Sequence, residues 1–141
     1  RVLFRSFESI SPLVVWKKEL RVDSGGAGQY RGGLGQECEI EIRAAEPLQL
    51  SLLSDRWRHP AIGVQGGADG ATSRISFSDG TVPHQKSRTT IAPGLRLHMR
   101  YAGGGGYGNP KDRDPALVRD DIKNGYISAE AAARDYGVTD E

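Results

Sequence analysis

Two glycine-dense runs dominate the chain: Asp23 to Gly35 reads DSGGAGQYRGGLG, and 103–108 reads GGGGYG. Glycine tolerates positive φ and lets one backbone approach another backbone or a ligand with no Cβ in the way. Because both runs follow stretches with strand character, they predict shaped loops at strand ends. Neither fits a known phosphate fingerprint, since GxxxxGK[ST] is absent and no helical pattern follows the first run.

Two interpretations of these runs stay open at this stage. The glycines can serve sharp turns and sheet crossings only. Alternatively, they form a cradle of backbone N–H groups that faces a ligand or a partner. In the second case Ser24, Tyr30 and Arg31 would supply the polar side chains.

Length and charge narrow the class of protein. A chain of 141 residues is enough for one domain with a core, and a net charge of +1 gives no electrostatic case for nucleic acid or an anionic membrane. There is no apolar run of about 18 residues and no signal-peptide pattern, so a soluble, cytoplasmic protein is expected. Arg1 in place of an initiator methionine suggests a piece of a longer protein.

The single cysteine, Cys38, excludes an internal disulfide framework. It alternates with charged residues on a strand pattern, which predicts a buried, inert thiol. The three histidines lack the spacing of a metal site, and with one cysteine a zinc site built from this chain alone is not expected.

Alternating patterns predict about seven short strands. The clearest predicted strand has Cys38, Ile40 and Ile42 on a buried face and three glutamates on a solvated face. Before the strands, Phe4, Phe7 and Ile10 have helical spacing that Pro12 interrupts.

The loop SDRWRHP is the most chemically dense in the chain. Asp55 beside Arg56 could orient an anionic substrate, because arginine suits carboxylate recognition. The other interpretation is a surface ion pair, with Trp57 covering an edge of the core. Lys86 is a candidate cation that could equally be solvated.

After the second glycine run the period becomes helical. Asp114 and Ser128 are predicted N-caps, Gly125 and Gly137 predicted ends, and Leu117, Val118 and Ile122 share one side of the first helix. The fold class is therefore mainly β with a short C-terminal helical tail: an antiparallel sandwich or barrel-like domain followed by two short helices. We expect a glycine-rich β domain at 1–110 and a helical tail at 111–141 packed on it as one unit.

One set of motifs follows in order along the chain: Glu8 and Pro12, LRVDSGGAGQYRGGLG, DRWRHPAIGVQGGADG, Lys86, Pro93-Gly94, GGGGYGNP, RDPALVRDDIKNGYIS and the terminal YGV. With these motifs in this order, from about Glu8 to Val138, the sequence closely resembles the C-terminal region of the hydantoinase B/oxoprolinase family.

This resemblance implies a B-type subunit of an ATP-dependent hydantoinase, 5-oxoprolinase or related ketone carboxylase. An A-type subunit or domain with an actin-like ATPase fold would activate a small-molecule substrate by phosphorylation, and the B-type partner would open the cyclic amide. ATP and a divalent metal are expected in the full, oligomeric complex. The metal ligands would lie in the N-terminal part of the B-type subunit, which this chain lacks, so the resemblance implies no metal and no cofactor within this chain.

The catalytic residues are not assigned by the sequence. The alternative is a non-catalytic structural or oligomerisation domain of such a complex, or of an acetone-type carboxylase. The residues predicted to face a substrate or a subunit interface are Ser24, Gly25, Gly26, Arg31, Gly32, Gly33, Asp55, Arg56, Lys86, Gly103, Gly104, Gly105, Gly106 and Tyr107.

Overall fold

A computed structural model describes residues 8–139, so the predicted helical spacing of Phe4 and Phe7 lies outside the described residues. The described part contains six strands: β1 Leu13–Leu20, β2 Gln36–Ile42, β3 Leu48–Leu53, β4 Arg74–Phe77, β5 Lys86–Ile91 and β6 Arg96–Arg100. None of its helices is long and apolar enough to cross a membrane.

The strands form two antiparallel sheets. One has four strands in the order β1-β2-β6-β4, and the other is the pair β3-β5. Strand alternation places Cys38 opposite Met99 and Ile40 opposite Leu97 on the inner face of the larger sheet. The mainly β fold class with a helical tail is confirmed.

The main core lies where apolar side chains of the two sheets meet. Its buried members come from five strands: Ile42, Leu52, Ile75, Phe77, Ile91 and Leu97. Burying side chains of this size contributes roughly 1.5–3 kcal/mol each, so this cluster is the main stabilising element of the sheets. Cys38 is also buried, and burial raises the pKa of its thiol, as expected for an inert cysteine.

The outer face of the larger sheet carries matched charges. The glutamates predicted to be solvated are half-buried, and all three form ion pairs with arginines of β6, two of them through hydrogen bonds. Glu37 accepts from Arg100 at 2.9 Å and from Lys17 at 3.1 Å, and Glu39 accepts from Arg96 at 2.8 Å. The charged positions of β6 already alternated in the sequence, but the pairing needed the register of the two strands.

Among the described residues, a short 3-10 helix at Pro110–Asp112 and two α-helices follow the sheets. The α-helices are α1 Pro115–Lys123, and α2 Ala129–Ala131, which continues as a π-helical turn over Ala132–Tyr136. The predicted caps are present. The Asp114 carboxylate accepts from the Ala116 amide at 2.8 Å, and the Ser128 hydroxyl accepts from the Ala131 amide at 3.1 Å.

The helices build a second, smaller core around the fully buried Val118. It contains Ile127, Ala132 and Tyr136 from the tail and Ala27 from the first glycine run. Leu117, predicted on the same side as Val118, is instead 51% exposed. Adjacent helical positions are about 100° apart, and Val118 takes the inward direction at this point.

Candidate functional site

Three loops meet at one end of the larger sheet and pair through their backbones. We call residues 24–35, 61–71 and 102–108 the glycine layer. Gly26 N–H donates to Gly104 O at 2.8 Å, and Gly104 N–H donates to Gly33 O at 2.8 Å. The middle loop joins the other two, since Val64 N–H donates to Gly106 O at 2.9 Å.

Close approach explains most glycines of this layer better than turn geometry does, the exceptions including Gly66 and Gly108, which have positive φ. A methyl group on Gly26 would overlap the Ala68 carbonyl, and one on Gly103 would overlap the Ser24 carbonyl. Neither glycine has a positive φ. The layer therefore needs residues without a Cβ because backbone lies directly against backbone.

The amides of the layer are largely used within it. The N–H groups of Gly26, Gly32, Gly103, Gly104 and Gly106 all donate to backbone carbonyls of the same layer. A cradle that offers these particular amides to a ligand would first have to break those bonds. The first interpretation, in which the glycines serve crossings of the chain, accounts for these contacts.

Ser24 lies inside the layer with no exposed surface. Its hydroxyl donates to Arg21 O at 2.5 Å and accepts from Gly35 N–H at 2.8 Å, which ties the start of the first run to its end. The side chain thus holds the loop in shape and points away from solvent.

Arg31 fastens the glycine layer to the helical tail. Its Nε and Nη2 donate to the two carboxylate oxygens of Asp121 at 3.0 and 3.2 Å. Arg113 adds a bond of 2.8 Å from Nη2 to the same carboxylate, and the three side chains are only 10–14% exposed. A bidentate pair of this kind fixes the relative orientation of the guanidinium and the carboxylate in addition to balancing their charges.

Sequence reasoning missed Asp121 and Arg113. One signal was available: Asp121 lies three positions after Val118, so a carboxylate shares the inward face of α1 with its most buried residue. A buried carboxylate needs cationic or hydrogen-bonding partners, which in this chain are the two arginines.

The outer surface of the glycine layer is apolar and exposed. The Tyr30 and Tyr107 rings lie 6.2 Å apart and are 65% and 50% exposed. Val64 forms an isolated bridge with Tyr107 and is 52% exposed, and Ile62 on the same loop is 77% exposed. We call these four residues the tyrosine patch. Clustered exposed apolar side chains are typical of a contact surface.

Asp55, Arg56 and Lys86 lie beside the two-stranded sheet, because Asp55 and Arg56 follow β3 and Lys86 is the first residue of β5. Lys86 Nζ is 2.7 Å from Asp55 Oδ1, and this partner holds the pKa of the exposed Asp55 carboxyl below its usual value. The interpretation as a surface ion pair is therefore supported, although its cation is Lys86 rather than the adjacent arginine. Arg56 has a left-handed φ of 58°, which is uncommon for a residue with a side chain.

Trp57 packs edge-on against His84 with ring centroids 5.2 Å apart, and the Arg58 guanidinium lies 4.2 Å from its centroid. Behind this loop is an open groove of about 430 Å³ between the two sheets. Asp55 and Arg56 line one end, and Tyr101 and Ala102, just before the second glycine run, also line it.

The described residues contain no group of three or more metal-ligating side chains that could hold a metal ion. The structure thus brings together the candidates of the two glycine runs, while Asp55 and Arg56 line a groove that reaches Ala102 at the edge of the glycine layer. What the glycine layer offers chemically is an exposed apolar surface on a frame of backbone bonds, and its Arg31 is already paired with Asp121.

Comparison with known proteins places this geometry in context. The family model described as hydantoinase B/oxoprolinase matches residues 6–110. The B-type component of a putative D-/L-hydantoinase of Pseudomonas sp. is 32% identical over 138 residues, which cover 94% of this chain and 23% of the relative.

Two solved structures share the fold. The crystal structure of the ATP-dependent caprolactamase from Pseudomonas jessenii matches with a TM-score of 0.76 and 27% identity, covering 98% of this chain and 25% of that one. A nucleotide-free acetone carboxylase matches with a TM-score of 0.73 and 24% identity, covering 96% of this chain and 23% of that one. The chain therefore spans about a quarter of the length of these relatives. Because the family model covers most of the chain, the protein belongs to the hydantoinase B/oxoprolinase family.

Proposed function

We propose that this chain works as the C-terminal part of the B-type component of an ATP-dependent enzyme that hydrolyses a cyclic amide, a hydantoin or a lactam. An A-type ATPase subunit or domain would activate the substrate, because amide resonance makes direct attack by water slow. The proposal is supported by membership of the family and by relatives named as a putative hydantoinase component and an ATP-dependent caprolactamase. ATP and a divalent metal would be held by other parts of the complex.

Within that complex, the chain's role would be to bind a neighbouring subunit or domain and to hold it in position. The observation that carries this part is the glycine layer, whose amides bond to one another while the tyrosine patch stays exposed. A surface built on interlocked backbone keeps its shape, so little ordering entropy would be lost on association. The partner would be the N-terminal part of the B-type subunit or the A-type subunit.

The candidate residues divide by what they contact. Ser24 and Arg31 would act through the shape of the layer and its attachment to the tail, as their internal bonds indicate. Tyr107, with Tyr30, would meet the partner directly. Asp55 and Lys86 would be available to a substrate or partner only after exchange of their mutual ion pair. We also propose a cytoplasmic location, with which the buried thiol of Cys38 is compatible.

A second candidate function is a purely structural or oligomerisation domain. It is favoured by the same internal use of the glycine amides. The two candidates differ in whether alteration of the tyrosine patch changes only assembly or also turnover of the assembled complex.

The test is to reconstitute the chain with the N-terminal part of its B-type subunit and the A-type subunit. ATP hydrolysis and ring opening are then measured with hydantoin, 5-oxoproline and caprolactam, with acetone plus bicarbonate as the carboxylase arm. ATP-coupled opening of at least one cyclic amide is expected. Carboxylation of acetone with no amide hydrolysis would overturn the proposed reaction.

The positioning role is tested with Tyr107→Ser in the same complex. The variant keeps the backbone bonds between Tyr107 and Tyr30, so the fold should hold while assembly weakens. Val82→Ser is the matched control, since Val82 is 51% exposed and lies outside the glycine layer. Equal assembly and equal turnover of the two variants would contradict the assignment of the tyrosine patch.

A further inference from the structure

The solvent face of the four-stranded sheet carries an arginine, Arg74, that has no acidic partner in the described part of the chain. Arg74 on β4 lies directly opposite Arg100 on β6. Residues paired in this way have Cβ atoms about 4.5–5.5 Å apart, and like charges there are destabilising. Arg100 is neutralised by Glu37 on its other side, whereas no carboxylate within residues 8–139 pairs with Arg74.

The neighbouring pair on the same face completes a cleft. Ser76 of β4 lies opposite His98 of β6, one alternation along from the two arginines. Together with Glu37, these four residues line a cleft of about 240 Å³. Because β4 is an edge strand, the cleft lies at the border of the sheet.

Positive charge is in excess at this place. Glu37 accepts from both Arg100 and Lys17, and these bonds lower its pKa. Lys17 is also 3.4 Å from Glu19, so Glu37 and Glu19 together balance Arg100 and Lys17 and leave no charge over for Arg74. Arg21 is close enough for the Arg100 charge to lower its pKa, second to the effect of burial. The Arg74 guanidinium therefore remains available to a ligand, since no carboxylate of residues 8–139 is paired with it.

We propose that this cleft binds a small oxyanion, a phosphate or carboxylate group, held between Arg74 and Arg100. Arginine forks match the paired oxygens of such groups, and the Ser76 hydroxyl is placed to donate a further hydrogen bond. A bound anion would also offset the repulsion between the two arginines. The site is distinct from the glycine layer and does not depend on the function proposed above.

The test is titration of the 141-residue chain with inorganic phosphate, and separately with acetate, against chloride at matched ionic strength. Binding is followed by backbone amide NMR shifts of β4 and β6. Saturable shifts confined to these strands are expected, and Arg74→Ala should weaken binding about tenfold, as for loss of one charge-assisted hydrogen bond. Tighter binding of phosphate than of acetate would identify a phosphate site, and the reverse a carboxylate site.

Arg88→Ala is the matched control. Arg88 is an exposed strand arginine on β5 in the other sheet, so this variant loses the same charge away from the cleft. Its binding should stay within about twofold of the parent, the size of a general charge effect. Equal weakening by the two variants, or no saturable shift with either anion, would overturn the site. Thermal unfolding of both variants checks that the fold is retained.

Discussion

Substitution of one glycine by alanine tests whether the glycine layer depends on backbone contact. In Gly103→Ala the new methyl would overlap the carbonyl oxygen of Ser24 and would lie 3.0 Å from Gly25 N. Both obstacles are main-chain atoms, so no side chain can rotate away. The two loops must separate for the methyl group to fit.

The cost can be worked out from what that separation disturbs. Overpacking by a methyl group costs roughly 1–3 kcal/mol. The Ser24 carbonyl accepts from Ala71 N–H at 2.8 Å, and Gly103 N–H donates to Ala71 O at 3.1 Å, so both bonds are strained by the shift. At about 1 kcal/mol each, the total reaches roughly 3–5 kcal/mol, a large part of a typical stability of about 5–15 kcal/mol.

The matched control is Gly33→Ala in the same layer. A methyl group there meets no atom within 4 Å, and Gly33 has no left-handed φ. The free energy of unfolding of Gly33→Ala should therefore equal that of the parent or exceed it by up to about 1 kcal/mol, because alanine lowers the conformational entropy of the unfolded chain.

The assay is urea unfolding of both variants followed by far-UV circular dichroism, with thermal melts in parallel. Gly103→Ala should lower the melting temperature by roughly 10–15 °C for a chain of this size. If the two variants unfold within about 0.5 kcal/mol of each other, the close contact does not govern stability and the reasoning about the layer is wrong.

Three further predictions follow from buried polar groups. Asp121→Asn should lower the free energy of unfolding in urea by about 2–4 kcal/mol, because the buried arginines Arg31 and Arg113 lose their carboxylate partner. Asp120→Asn, at an exposed position, should lower it by less than about 0.5 kcal/mol, and similar values for the two variants would contradict the role of Asp121. Ser24→Ala should cost about 1–3 kcal/mol and speed hydrogen exchange at the Gly35 amide; unchanged exchange would refute the hydroxyl bridge. Burial raises the pKa of the Cys38 thiol in the folded protein, so as pH rises the unfolded chain loses this proton first. The free energy of unfolding should therefore fall once the pH exceeds the thiol pKa of the unfolded chain. Cys38→Ser should flatten that fall, and the same dependence on pH in both proteins would disprove the argument.

Local patterns predicted most of the secondary structure. The alternation around Cys38 and the capping residues Asp114 and Ser128 act through neighbours in sequence, so their signals are visible without a fold. The prediction that Leu117 lies on the buried side of its helix was wrong, because the inward face of that helix is narrow and is occupied by Val118 and Asp121.

The candidate site was less predictable, because its contacts join distant segments. Glycine density indicated close approach, but only the fold shows that Gly26 meets Ala68 and Gly103 meets Ser24. The partner of Arg31 lies 90 residues away on a helix, and the partner of Asp55 was the distant Lys86 rather than its neighbour. Register and loop packing decide such pairs, and a single sequence does not display them.

The interlocking of three loops also has a kinetic consequence. Residues 24–35, 61–71 and 102–108 bond to one another across long stretches of chain, so the layer can close only after both sheets have brought their ends together. Contacts between distant segments slow folding, since chain entropy is lost before they form. A ribosome must therefore release the chain beyond residue 108 before the glycine layer can form, and a break in any one loop would remove part of the bonding of the other two.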